Sequence, residues 1–369
     1  MERHHAPAPG NGGPPSGSTW DNLPRSAGSS GGMFTRASRA PSHQTGLAGR
    51  ALARYSAPSS PLPASKLAST ATASPGGATT PIAPREATEL RVAFINLMSP
   101  VGTDATDTAA SDTYEERLAL IIEELHTFDP DIVGFNEATI TDAHGDARER
   151  LATALKMEPF WLRANPWFPT RTREANDAIA KQIGFQEGEL LLVRSDRFPL
   201  IGGMDSHWIN PRTSETEGRV AFHIRVRIPG ATGEADIYIT HLTGGGEAVR
   251  ARQAESVASF IRSTRGEGPA ILMGDLSDVP TSGAFQAFAA TGFHDPFAGE
   301  GVATCCRTSL TGEQPPLTLR TDYLLGAEWA PVETGFLAAE PGERGDGSPL
   351  FASDHLGLFA VFRLPSSPP

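Results

Sequence analysis

Seven polar residues stand where apolar runs end: Asn96, Glu137, His241, Asp275, Asp322 and the adjacent pair Asp354 and His355. Four carboxylates, two imidazoles and an amide are the inventory of a metal-assisted hydrolase. Carboxylates offer hard oxygens to a divalent cation, and imidazoles move protons or hold charge near neutral pH. Oxygen ligands point to Mg2+, with Mn2+ as the alternative, and away from Zn2+, which prefers histidine and thiolate. Each piece alone is common. Gly274-Asp275 after a strand and Ser353-Asp354-His355 in a turn gain meaning from their order and setting.

The elements that must position these residues are legible from periodicity. Residues 89–96 read as a strand ending on Asn96, and 113–128 as an amphipathic helix with Leu118, Ile121, Ile122 and Leu125 on one face. Asp129-Pro130-Asp131 stops that helix, and 132–135 forms a short buried strand before Glu137. A second helix is expected over 147–155. Strands are expected over 189–193, 220–228 (turning at Pro229-Gly230) and 235–240, the last opening onto His241. A helix over 248–262 leads to a strand at 270–273 and then Asp275. A short helix over 282–290 and late strands over 321–325 and 356–362 complete the pattern. The candidate residues therefore follow strand ends, where loops of layered α/β folds converge. Neither a glycine-rich dinucleotide motif nor a P-loop is present.

Composition divides the chain. Among residues 1–87, 12 Pro, 11 Gly and 13 Ser exceed the roughly 25–30% that marks low complexity, so this segment is expected to be disordered, as a linker or as a targeting arm. It carries eight Lys/Arg and three Asp/Glu, whereas the whole chain is at −12, so the body from residue 88 to 369 is strongly acidic. Such a body repels polyphosphate at long range unless metal or a local basic patch offsets its field. No apolar run reaches the roughly 20 residues of a membrane span, and no secretory h-region follows the N-terminus. The expectation is a cytoplasmic or non-classically exported monomer. Cys305 and Cys306 are adjacent, a spacing that rarely bridges, and read as buried apolar residues.

The ordered motifs carry a resemblance. Val92-Ala93-Phe94-Ile95-Asn96, Asp131-Ile132-Val133-Gly134-Phe135-Asn136-Glu137, Thr240-His241-Leu242, Arg250-Ala251-Arg252-Gln253, Gly274-Asp275-Leu276-Ser277-Asp278, Arg320-Thr321-Asp322-Tyr323 and Ser353-Asp354-His355 together resemble the endonuclease/exonuclease/phosphatase (DNase-like) superfamily. The match covers essentially all of 88–365. The resemblance implies an α+β fold: a four-layer α/β sandwich of two packed mixed β-sheets flanked by helices, as one catalytic domain over 88–369. It places Asn96 and Glu137 at the metal, with Asp354 completing that shell. His241 would contact phosphate, Asp275 would activate water, and Asp322 would pair with His355, which would stabilise phosphoryl charge. In the DNase-like branch a carboxylate at the position of Glu187 pairs with the first histidine; here Glu187 is also readable as a solvated turn residue.

Two departures from the family pattern stand out. Asn136 replaces the usual Gln before Glu137, a loss of one methylene. Ser277 replaces the Asn of Gly-Asp-x-Asn, and a hydroxyl donates one hydrogen bond over a shorter reach. Losing one oriented donor costs on the order of 10²–10³ in rate. The expected activity is phosphodiester hydrolysis by a metal-positioned water, on nucleic acid or on a small-molecule or lipid phosphoester. The alternative is a catalytically weakened binding or effector protein on the same fold.

Overall fold

The computed structural model describes residues 89–100, 112–209, 218–229, 233–299, 301–312 and 315–364. The expected disordered segment 1–87 lies outside the described residues, as does Gly230 of the expected turn. The strands are β1 (Glu89–Asn96), β2 (Ile132–Thr141), β3 (Gly145–Asp146), β4 (Glu158–Asn165), β5 (Phe185–Val193), β6 (Asp205–Trp208), β7 (Val220–Arg227), β8 (Glu234–Thr240), β9 (Ala270–Asp275), β10 (Asp322–Ala327), β11 (Ala330–Leu337), β12 (Gly342–Glu343), β13 (Pro349–Leu350) and β14 (Gly357–Arg363). The helices are α1 (Tyr114–Phe128), α2 (Ala147–Leu155), α3 (Arg173–Ile183), α4 (Glu247–Thr264) and α5 (Gly283–Ala289).

One sheet runs β11-β14-β1-β2-β5-β4, with β3 paired to β2; the other runs β10-β9-β8-β7-β6. Each holds a single parallel pair, β1 with β2 and β8 with β9, among antiparallel neighbours. Their apolar runs are continuous because both faces are covered. In β1, Val92 and Phe94 face the space between the sheets, where they meet Ile237, Ile239, Ile271 and Met273. Ala93 and Ile95 face the other way, against Leu118, Ile121 and Leu125 of α1. On the far side, Val257 and Ile261 of α4 and Phe288 of α5 cover Tyr238 and Leu272. The order is therefore helix, sheet, sheet, helix: the four-layer α+β sandwich that was expected. Full burial of each such side chain contributes about 1.5–3 kcal/mol.

This arrangement aims the C-terminal ends of both parallel pairs at one edge. β1 and β2 deliver Asn96, Asn136 and Glu137, while β8 and β9 deliver His241 and Asp275. Gly274 is the residue that lets β9 do so. A Cβ there would overlap the backbone carbonyl oxygen of Thr240, and the residue sits at φ +157°. Gly274→Ala is expected to lose about 1–3 kcal/mol through this overpacking, read as a thermal midpoint several degrees lower.

Several elements escaped the sequence pattern. β4, α3, β6 and β11 were not anticipated. Thr172 Oγ1 accepts from Ala175 N at 3.2 Å and caps α3. β5 begins at Phe185, so Glu187 lies inside a strand and not ahead of one. Trp167 stacks on Trp208 at 4.6 Å, and Trp161 lies beneath Arg148. The cysteine expectation is corrected too. Cys305 and Cys306 form a disulfide, and Cys306 is exposed. Long-range backbone bonds from Thr304 and Arg307 hold this dipeptide with both sulfurs toward His355, a convergence that sequence adjacency does not reveal.

Candidate active site

Asp275 is the hub. Its Oδ2 lies 3.4 Å from Asn96 Nδ2, 3.7 Å from His241 Nε2 and 3.9 Å from His355 Nε2. Its Oδ1 accepts from Ser277 N at 2.7 Å and from Ser277 Oγ at 3.2 Å. Burial first, and then the charge of Asp322, push its carboxyl up to about 7. Asp322 faces Asp275 in register across β9 and β10.

Asn96 Nδ2 also donates to Glu137 Oε1 at 3.1 Å, and Ser99 N donates to Glu137 Oε2 at 2.7 Å. Glu137 sits at φ +57°, where the β2–β5 register shifts between Phe135 and Ala138. Such a bulge re-aims a side chain that regular alternation would send elsewhere. Here it turns Glu137 to the Asn96 side while Asn136 points inward. Asn136 Oδ1 accepts from Asp275 N at 2.7 Å, and its amide nitrogen donates to buried Glu189. Asn136 therefore ties one sheet to the other.

The two imidazoles are prepared differently. Burial, then the neighbouring Arg219 guanidinium and His355, hold His241 well below the usual imidazole range. Arg219 Nη1 approaches His241 Nδ1 at 3.4 Å. Guanidinium only donates, so Nδ1 accepts and the proton of neutral His241 sits on Nε2, toward Asp275. His355 Nδ1 lies 2.8 Å from Asp322 Oδ2. Burial works against its charge, but Asp322 and Asp354, followed by Asp275, raise His355 well above the usual range, so it is held as imidazolium. Asp354 Oδ1 lies 3.9 Å from His355 Nε2, and burial raises its carboxyl.

The geometry thus gathers Asn96, Glu137, His241, Asp275, Asp322, Asp354 and His355 within one hydrogen-bonded and charge-paired cluster. Ser277 joins it at φ +50°, with its hydroxyl turned to Leu242 O at 3.2 Å and to Asp275. Glu187 lies within β5. Its Oε1 accepts from Asn165 Nδ2 at 3.2 Å, and Arg219 Nη1 stands 3.4 Å from His241 Nδ1.

The donor set fits a hard divalent cation. Glu137, Asp275, Asp322 and Asp354 cluster here, and Asp322 Oδ1 is buried without a hydrogen-bond partner. Asp275, Asp322 and His355 each place a donor atom within 4.8 Å of the others. Clustered carboxylates of this kind stay ionised together only when positive charge is supplied.

A model described as the Endonuclease/Exonuclease/phosphatase family matches residues 106–355. The chain belongs to this family. Its members are generally hydrolases of phosphoesters and typically depend on a divalent metal. Among solved structures, a family protein from Bacteroides thetaiotaomicron aligns with TM-score 0.58 and 17% identity over 76% of this chain and 99% of that one. The mannosyl-6-phosphatase Bt3783 from the same organism aligns with TM-score 0.55 and 18% identity over 73% and 98%. The human Nocturnin catalytic domain, with bound sulfate, aligns with TM-score 0.51 and 21% identity over 74% and 93%. At these identities the likeness is one of fold. No curated protein matches.

Within this endonuclease/exonuclease/phosphatase domain, several supporting residues were not singled out as such from sequence. Buried Arg117 of α1 donates to Leu97 O at 2.7 Å, Met98 O at 3.1 Å and Ala352 O at 3.3 Å, bracing the loops after β1 and before Asp354. Arg307 donates to Ser353 O and His355 O, both at 2.9 Å, and to Ala338 O at 2.7 Å. Arg250 pairs with Asp278 at 3.2 Å and reaches the carbonyls of Gly244 and Gly245, while Gln253 Oε1 accepts from Thr243 N at 2.9 Å. So the Arg-x-x-Gln motif of α4 pins the loop after His241. The signal available in sequence was an arginine on the otherwise apolar face of α1, at position 117.

Proposed function

We propose that this chain is a Mg2+-dependent phosphodiesterase in which Asp275 activates the attacking water. The carrying observation is the convergence of Asn96, His241 and His355 on Asp275 Oδ2. Glu137 and Asn96, with Asp354 across the site, would hold the cation, whose chemistry is to neutralise charge on phosphoryl oxygens. Asp275 takes a proton from water as its oxygen forms the new bond to phosphorus. His355 Nε2–H and His241 Nε2–H face the same point and donate to phosphoryl oxygens as negative charge builds there. The bond to the leaving oxygen then breaks, and that oxygen takes up a proton. Asp322 holds the His355 ring and its charge.

The substrate classes are nucleic acid and small-molecule or lipid phosphodiesters, and the acidic body weighs mildly against long nucleic acid. The test runs a chromogenic phosphodiester, plasmid DNA and sphingomyelin in parallel, with Mg2+, Mn2+ or a chelator. Turnover present with Mg2+, lost on chelation and absent in His241→Ala supports the reading. Absence of metal-dependent turnover on every substrate sinks it and favours the binding-protein alternative.

One observation favours that alternative: the Ser277 hydroxyl is spent on Leu242 O and Asp275. The two are separable by Ser277→Asn. The left-handed backbone at 277 is one that Asn adopts more readily than most residues. The expected result is a gain in turnover of up to about 10²-fold from the added donor. An unchanged or lower rate would show that Ser277 suits its own substrate.

A further inference from the structure

Cys305 and Cys306 lie against the nitrogen of His355 that Asp322 leaves free. Cys305 Sγ is 3.7 Å and Cys306 Sγ is 3.8 Å from His355 Nε2. The dipeptide is anchored on both sides. Cys305 exchanges backbone hydrogen bonds with Leu319 at 2.9 and 3.3 Å, Leu356 N donates to Thr304 O at 2.8 Å, and Arg307 N donates to Asp354 O at 2.8 Å. Thr304 Oγ1 also accepts from the backbone of Thr321 and Asp322. The sulfurs are therefore held at the imidazole by the same segments that hold the catalytic residues, yet the hydrolytic mechanism uses neither.

The donor atoms of Cys305, Cys306 and His355 all lie within 4.8 Å of one another. With Zn–S bonds of about 2.3 Å and Zn–N bonds of about 2.0–2.1 Å, a tetrahedral site has an S···N edge of about 3.6 Å. The separations of 3.7 and 3.8 Å stand close to that edge. Cys306 is exposed, so solvent can fill a remaining position.

We propose that Cys305 and Cys306, once reduced, form with His355 a site for a soft divalent cation of the Zn2+ class, and that closing the vicinal disulfide abolishes it. A dithiol reductant supplies the two electrons that break the Sγ–Sγ bond and becomes a disulfide itself. The two sulfurs take up protons as thiols; these two protons, and the Nε2 proton of the His355 imidazolium, pass to solvent when the cation binds. A disulfide has no thiolate to offer, so the oxidised chain lacks the site. The bound cation occupies His355 Nε2 and withdraws it from the phosphoryl group. The site thereby couples thiol redox state to activity. This second consequence rests on the hydrolase reading; the binding itself does not.

Co2+ serves as the spectroscopic probe, because thiolate-to-cobalt charge transfer reports sulfur ligation independently of turnover. The full chain is titrated with Co2+ after phosphine reduction and again after oxidation. A near-stoichiometric charge-transfer band is expected in the reduced chain, and none in the oxidised chain or in the Cys305→Ser/Cys306→Ser double variant. Zn2+ should bleach the band. In excess Mg2+, Zn2+ at about ten times its Kd should lower turnover of the reduced chain about tenfold and spare the double variant, whose folding is checked by circular dichroism. Absence of the band in the reduced chain, or its persistence in the double variant, overturns the proposal. Equal Zn2+ inhibition of both chains would overturn the coupling to activity, because it places that zinc among the carboxylates. If no substrate is turned over, the absorption titration still decides the site, so its failure and that of the hydrolase reading are distinguishable.

Discussion

Asp275→Asn is expected to lower metal-dependent turnover by on the order of 10²–10⁴ while leaving the fold at least as stable. The substitution is isosteric. An amide oxygen can still accept from Ser277 N at the 2.7 Å position, and the backbone bond to Asn136 is untouched. What disappears is the base and its charge. That charge stands in register with Asp322 and is raised toward neutrality by burial and by that neighbour, so removing it relieves like-charge repulsion. Turnover of the chromogenic diester and thermal unfolding under chelation are the paired measurements. Retained turnover would remove Asp275 from the chemistry, and a large fall in midpoint would recast it as structural.

Asp322→Asn should cost on the order of 10³–10⁴ in turnover, as for other buried Asp–His pairs. His355 owes its charge first to Asp322, bonded at 2.8 Å to Nδ1. An amide at 322 either accepts from Nδ1–H, leaving a neutral ring with no proton on Nε2, or donates to Nδ1, leaving a neutral ring with Nε2–H. Both outcomes remove a charged donor from the phosphoryl group. The His355 ring resonances by NMR should show an imidazolium in the parent chain at neutral pH and a neutral ring in the variant. Thr304 Oγ1 still receives the backbone N–H of residue 322, so the strand start is preserved. A variant with an uncharged His355 and full activity would refute the role assigned to this pair.

The helices and strands nearest the chemistry were legible in advance for a simple reason. β1, β2, β8 and β9 are buried on both faces, and α1 and α4 on one, so their apolar patterns are strong. β11 and β6 sit at sheet edges with mostly half-buried or exposed residues, and their patterns fade into the surroundings. α3 is polar over most of its surface and is set by its Thr172 cap, a local signal outweighed by the loop-like composition before it. Glu187 was drawn toward His241 by similarity alone. In the folded chain Asn165 meets Glu187, and Arg219, just ahead of β7, meets His241.

What the sequence by itself determined is which segments are buried, through where apolar runs begin and end, and which chemical groups stand beside them; the layer order came from the family resemblance. Only tertiary structure decided which groups touch. Asn136 became a clasp between sheets because Asp275 lies 139 residues away in chain and one hydrogen bond away in space. Glu137 reached the Asn96 side through a bulge whose register depends on β5. Arg117 and Arg307 became braces because carbonyls from distant loops arrive at their guanidinium groups. Periodicity reports burial, a property of one element at a time. Contact between elements depends on strand order and register, which emerge when both sheets close on a common core.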